Sequence, residues 1–152
     1  VILGHSENRQ KGETDKLINL KIKSAIKSKL KVIFCIGETL SEKKRKKTKS
    51  IISKQIKLGL KKIKANSNMF VAYEPVWSIG TGKIPKTDEL EQTIEFIKKK
   101  FKGKSPKILY GGSVNTENIR NLKKITSLDG FLIGGASQNS KKFIDIVKKT
   151  YN

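Results

Sequence analysis

The sequence predicts an α/β protein made of repeated strand–helix units, and three observations carry that expectation. Five short apolar runs alternate with longer stretches of helical period, each pair taking about 30 of the 152 residues. The runs lack period-two alternation, which suits parallel strands buried on both faces. Polar or glycine-rich sequence follows nearly every run, as at the carboxyl rim of an α/β barrel. Eight such units come to roughly 243 residues, close to the ~250 typical of a closed (β/α)8 barrel. The arithmetic therefore favours five of eight barrel units over an open doubly wound sheet, and the site motifs must decide between them. No linker or composition shift divides the chain, so a single partial-barrel domain over 1–152 is expected.

Each element has its own justification. Val1-Ile2-Leu3 is the first strand, ending at Gly4-His5-Ser6-Glu7. Thr14-Asp15 places oxygen acceptors before a helix whose stripe is Ile18, Ile22, Ala25 and Ile26. Lys31–Ile36 is the second strand, and the capping box Thr39-Leu40-Ser41-Glu42 starts the next helical region, with Ile52, Ile56 and Ile63 on its stripe. Met69–Tyr73 is the third strand. Thr87-Asp88 marks the start of the clearest amphipathic helix, with Leu90, Ile94, Ile97 and Phe101. Lys107–Tyr110 and Gly130–Ile133 are the last strands; Ile119 with Leu122, then Phe143, Ile146 and Val147, supply the last helices.

Composition removes several function classes. Net charge is +21 from 34 Lys+Arg and 13 Asp+Glu, with Arg9, Arg45 and Arg120 the only arginines. A lysine-rich, alanine-poor chain fits AT-biased coding, so its basicity says little about partners. The single cysteine, Cys35, excludes an internal disulfide framework and fits a reducing compartment; within its strand it reads as packing. No apolar run nears the ~20 residues of a membrane helix. The first residue is Val and the only methionine is Met69, so an upstream portion of three units is expected.

The chemistry concentrates at the strand ends. His5, the only histidine, follows the first strand beside Ser6 and Glu7; without a second His or Cys to share a metal, its roles are hydrogen-bond donor or general acid. Glu74 follows the third strand, where a carboxylate is costly to bury but useful as a base whose pKa is raised by desolvation. Taken alone, it is equally an ordinary strand-end acid. Ser78-Ile79-Gly80-Thr81-Gly82 has the composition of a lid between the stiffer Pro75-Val76-Trp77 and Lys83-Ile84-Pro85. Gly111-Gly112-Ser113 and Gly134-Gly135 end the last two strands, where barrel loops frequently bind phosphate; in isolation they also fit tight turns.

Together these stretches resemble the triosephosphate isomerase family. The resemblance runs through Ile2–Glu7, Gly12–Asp15, Cys35–Leu40, Ala72–Lys83, Tyr110–Val114 and Gly134–Ser137, in family order over the whole chain. It implies a TIM (β/α)8 barrel of which this chain covers strands 4–8. It further implies interconversion of dihydroxyacetone phosphate and D-glyceraldehyde 3-phosphate, with no metal and no cofactor. Glu74 matches the catalytic base and His5 the neutral electrophile. Gly80, Ser113, Gly134 and Gly135 match the substrate-binding positions whose backbone amides hold the phosphate, and Glu7 matches a supporting acid. A cytoplasmic homodimeric enzyme of glycolysis and gluconeogenesis is implied, with a triose phosphate as its small-molecule partner and neither membrane nor specific nucleic acid.

Departures from the family pattern are local, apart from length. Asn8 stands where the family usually has an arginine, the Arg9–Gly12 connection is one residue short, the Phe101–Pro106 turn is compact, and Ser78 replaces a commoner Ala. The resemblance also places an asparagine, a lysine and a dimerisation loop in the first three units, so the fragment alone is expected to be inactive. The rival reading is a basic polyanion- or nucleic-acid-binding α/β module, on the strength of Lys43-Lys44-Arg45-Lys46-Lys47. Lysines spread over all the helices, and the lack of an aromatic stacking platform, favour a solvated helix face for that run.

Overall fold

The computed structural model describes residues 1–64, 68–101, 103 and 105–151. Its strands are β1 (Ile2–Leu3), β2 (Val32–Ile36), β3 (Met69–Tyr73), β4 (Lys107–Tyr110) and β5 (Gly130–Phe131). Each pairs in parallel with the next, in the order β1-β2-β3-β4-β5. A doubly wound sheet reverses its order at a switch point. Here every new strand adds on the same side, which is the progression of a barrel wall. The architecture is α/β, a partial barrel of the expected kind.

Register sets up the rim. Ile36 lies opposite Tyr73, Tyr73 opposite Tyr110, and Tyr110 opposite Phe131, so these strand ends form one row. Whatever follows each of them in sequence is delivered to the same edge. β2 and β3 are almost wholly buried, matching their lack of alternation.

Helices are α1 (Ser6–Gln10), α2 (Asp15–Lys27), α3 (Leu40–Lys44), α4 (Thr48–Gly59), α5 (Thr87–Lys98), α6 (Ile119–Leu122) and α7 (Ser140–Tyr151). Ile18 and Ile22 of α2, Ile52 of α4, and Leu90, Ile94 and Ile97 of α5 are fully buried in one core with Phe34, Val71 and Ile108 of the sheet. Three polar side chains tie this core to the backbone. Asn19 Nδ2 donates to Gly59 O (2.8 Å) and Lys61 O (3.1 Å), capping the end of α4 from α2. Gln55 exchanges two hydrogen bonds with the backbone of Gly37, as a neighbouring strand would. Arg9 donates to Gly4 O, Cys35 O and Asp15 Oδ1, joining β1, β2 and α2.

Several local expectations are revised. Thr14 caps α2 and the Thr39–Glu42 capping box forms, but the box opens the five-residue α3, while the long α4 begins at Thr48 with no side-chain cap. Thr87-Asp88 does not cap α5: Lys86 is its N-cap, and Thr87 and Asp88 lie inside the first turn. Ile63 and Phe101 pack against the core from beyond the ends of their helices. On α7 only Ile146 is buried, and Phe143 and Val147 are each 39% exposed. The Phe101–Pro106 turn includes residues 102 and 104, which lie outside the described set. The basic run is not a uniform face either. Lys43 Nζ pairs with Glu89 Oε1 at 2.6 Å and sits 4.0 Å from the centre of the Trp77 ring.

Candidate active site

The strand ends converge on a cavity of about 570 Å3 whose lining includes His5, Glu74, Gly80, Ser113, Gly134 and Gly135. Side chains alternate across a strand. The last residue of β3, Tyr73, therefore turns away from the cavity, and Glu74 turns into it. Its backbone stays on the ladder, the Glu74 N–H donating to Ile36 O at 2.7 Å. The approach is close: a Cβ at Gly37 would lie 1.9 Å from Glu74 O, and one at Gly111 would lie 2.7 Å from Glu74 Cγ. Both positions exclude any side chain, which fixes how the carboxylate enters the cavity.

Glu74 is 3% exposed. Burial pushes its carboxyl above the usual range, while the His5 ring, the Cys35 thiol, the Ser6 N–H and Arg9 pull it back. Burial next to this acid also drives the Cys35 thiol up, so the cysteine stays protonated. His5 sits at the N-cap of α1, and its Nδ1 accepts from the Glu7 N–H at 3.4 Å. An accepting Nδ1 puts the proton of a neutral ring on Nε2. That nitrogen is 3.7 Å from Glu74 Oε1, too long for a hydrogen bond but close enough for both groups to address adjacent atoms of one small molecule.

The 78–82 segment lies down over this cavity. Its entry is a 3-10 turn, Val76–Ser78, and Gly80 and Gly82 have φ of 69° and 75°, which glycine adopts without strain. The Gly82 N–H donates to Ser113 Oγ at 3.0 Å, and Ser113 Oγ donates to Ser78 O at 2.7 Å. Ser78 Oγ is 2.9 Å from Tyr110 Oη and accepts from the Ser113 N–H at 3.2 Å. A Cβ at Gly112 would lie 2.2 Å from Tyr110 Oη and 2.6 Å from Ser78 Oγ, so the second glycine of the pair leaves room for this cluster.

A second buried carboxylate, Glu38, anchors Trp77, just before the segment starts. It accepts from Tyr73 Oη at 3.1 Å and from Trp77 Nε1 at 3.0 Å. Burial raises its carboxyl pKa, and those two donors with Lys43 oppose the rise. Tyr73, buried against this acid, is itself pushed well up.

An acid–base pair facing a glycine-lined cavity under a docked segment is the arrangement the sequence motifs anticipate, and comparison with known proteins agrees. The family model described as triosephosphate isomerase matches residues 1–150. This chain belongs to the triosephosphate isomerase family. The triosephosphate isomerase of Carboxydothermus hydrogenoformans is 46% identical over 158 residues, covering 97% of this chain and 63% of that protein. Those of Chlorobium luteolum (44% identical, 97% and 62% covered) and Mycoplasmopsis pulmonis (45% identical, 100% and 60% covered) are similar to it to the same degree. The chain thus spans about three fifths of the length of the curated relatives it matches.

Six of the seven expected triosephosphate isomerase site residues line the one cavity. Glu7 stands apart: its side chain is exposed on α1, and its backbone N–H is what reaches His5. A Cβ at Gly80, Gly134 or Gly135 would meet nothing within 4 Å, so open space lies above all three. The Ser113 N–H is directed at Ser78 Oγ. Sequence reasoning missed Glu38, Tyr110 and Ser78 as members of the site. Glu38 had a signal, since it follows an apolar strand as Glu74 does. For Ser78 there was only an unusual residue in a familiar motif. Among the described residues no cluster of three or more His, Cys, Asp and Glu could hold a metal, and no helix is long and apolar enough to cross a membrane.

Proposed function

We propose that this chain is the part of a triosephosphate isomerase that carries the catalytic base, covering strands 4–8 of its barrel. The observation that carries the reading is the buried Glu74 carboxylate, its pKa raised by desolvation, 3.7 Å from the Nε2 of a histidine whose Nδ1 is already engaged. In this reading Glu74 removes a proton from C1 of dihydroxyacetone phosphate while the His5 Nε2–H polarises the C2 carbonyl. An enediolate forms, the O1 proton passes to O2 by way of His5, and Glu74 returns its proton at C2 to give D-glyceraldehyde 3-phosphate. Triosephosphate isomerase is itself a standard worked case of such pKa tuning, so this acid–base logic comes with the family.

Backbone amides of Gly80, Gly134 and Gly135 hold the phosphate, the Ser113 N–H being engaged by Ser78 Oγ while the segment is docked, and the docked 78–82 segment keeps water from the enediolate. Only protons move, one between the carbons and one between the oxygens, so the reaction calls for neither metal nor redox cofactor. A cytoplasmic, homodimeric glycolytic enzyme is the corresponding whole. The resemblance implies that positive charge at the phosphate and the rest of the wall come from the part of the family's barrel outside this chain, and in this reading the 152-residue chain alone has little or no turnover.

The test is a coupled assay of triose phosphate interconversion by the protein with its complete barrel, against Glu74→Gln. General base loss lowers kcat by about 10²–10⁴-fold. An unchanged kcat removes Glu74 from the mechanism, and near-normal turnover by the 152-residue chain shows that the rest of the barrel is dispensable.

A further inference from the structure

We propose that the Ser78 hydroxyl is a latch that holds the 78–82 segment docked, acting as a positioning residue for the site beneath it. The inference rests on the reading above only in treating that segment as the lid of a phosphate site. Ser78 is completely buried, and its Oγ meets three partners: Lys83 O, Tyr110 Oη and the Ser113 N–H. The proton bookkeeping has one solution. Lys83 O can only accept, so Ser78 donates to it. The Ser113 N–H can only donate, so Ser78 accepts from it. Tyr110 must then donate its proton to the remaining lone pair of Ser78. One donated and two accepted bonds saturate the hydroxyl.

These bonds have a specific topology. Lys83 is the residue just past the segment and Ser78 the residue at its start, so the Ser78–Lys83 bond closes the segment into a ring. Tyr110 and Ser113 belong to the end of β4 and the loop beyond it, so the other two bonds fasten that ring to the rigid sheet. The same ring carries the Gly82 N–H to Ser113 Oγ and Ser113 Oγ to Ser78 O. An alanine at 78 would leave Tyr110 Oη, Lys83 O and the Ser113 N–H without this partner while the segment stays down. All three can reach water when it lifts. The hydroxyl therefore stabilises the docked state relative to the lifted one.

The test is residue-resolved amide hydrogen exchange in the protein with its complete barrel, without substrate, comparing wild type, Ser78→Ala, Tyr110→Phe and the double variant. The Gly82 and Ser113 amides are expected to exchange about 10-fold faster in Ser78→Ala, the change that follows from losing a satisfied buried hydrogen bond. Phe34 and Val71, in the centre of the sheet, keep their protection. Tyr110→Phe produces a smaller acceleration, and adding it to Ser78→Ala produces none. Unchanged Gly82 exchange in Ser78→Ala overturns the latch. So does faster exchange of Phe34 and Val71 along with Gly82, which would make Ser78 a residue of the fold as a whole. Because no turnover is read, a protein that docks the segment but fails to isomerise triose phosphates removes the functional reading and leaves this one standing.

Discussion

Glu74 is kept where its charge is disfavoured, and that has a consequence for stability as well as for chemistry. Its folded-state pKa is raised by burial. A raised value means that the folded state binds the proton more tightly than the unfolded chain does. The contribution to stability is then fully present below the ordinary carboxylate pKa and is lost as pH rises through the folded one. Glu74→Gln carries no charge to desolvate, so at pH 7 it should melt at a higher temperature than wild type. The gap should shrink as pH is lowered toward about 4.3, the ordinary glutamate value. Thermal melts across that range check it; a variant less stable than wild type at pH 7 would mean that Glu74's partners outweigh its desolvation. Glu74 was legible in the sequence as an acid closing an apolar strand, and Glu38 carries the same local signature. What separates them is the direction each side chain takes, toward His5 or toward Tyr73 and Trp77, and direction is a property of the folded rim.

At the scale of elements, the polar contacts that fasten helices differ in how much they stabilise. The capping box at Thr39 satisfies backbone donors of a short, exposed helix, and Thr39→Ala should cost about 1 kcal/mol in urea denaturation. Asn19 is buried and satisfies two carbonyls at the end of α4, so Asn19→Ala should cost about 1–3 kcal/mol, because those groups lose their partner away from water. Equal losses for the two variants would contradict this ordering. Thr39 could be read from the sequence because a capping box is defined by residues three apart. Asn19 could not, since its partners lie 40 and 42 residues away. Thr87-Asp88 shows the opposite failure: it has cap chemistry but does not cap, as the N-cap falls one residue earlier, at Lys86.

Over the whole molecule, the +21 charge is the largest departure from an ordinary domain. The ion pairs include Arg9–Asp15, Lys43–Glu89, Lys98–Asp129 and Lys149–Asp145, yet 34 cations face only 13 acids. Self-repulsion of this kind destabilises the compact state and is screened by salt, with a Debye length of about 10 Å at 0.1 M. The melting temperature should therefore rise when salt is increased from about 10 mM to 0.2 M. A fall would show that the surface ion pairs outweigh the repulsion. The charge says little about function, because lysines are spread along α2, α3, α4, α5 and α7 rather than gathered at the cavity that His5 and Glu74 face.

By itself the sequence determined the alternation of strand and helix and the five strand ends on which polar residues fall, His5 and Glu74 among them. Those features are local: hydrophobic period, residue type, and spacing along the chain. Tertiary structure decided the rest. Parallel pairing in one continuous order brought residues from 5 to 135 around a single cavity, and it aimed Glu74 inward and Tyr73 outward. It also gave the Ser78 hydroxyl its three partners, two of them more than 30 residues away. A hydroxyl's role depends on which donors and acceptors surround it, and only the packed chain supplies them.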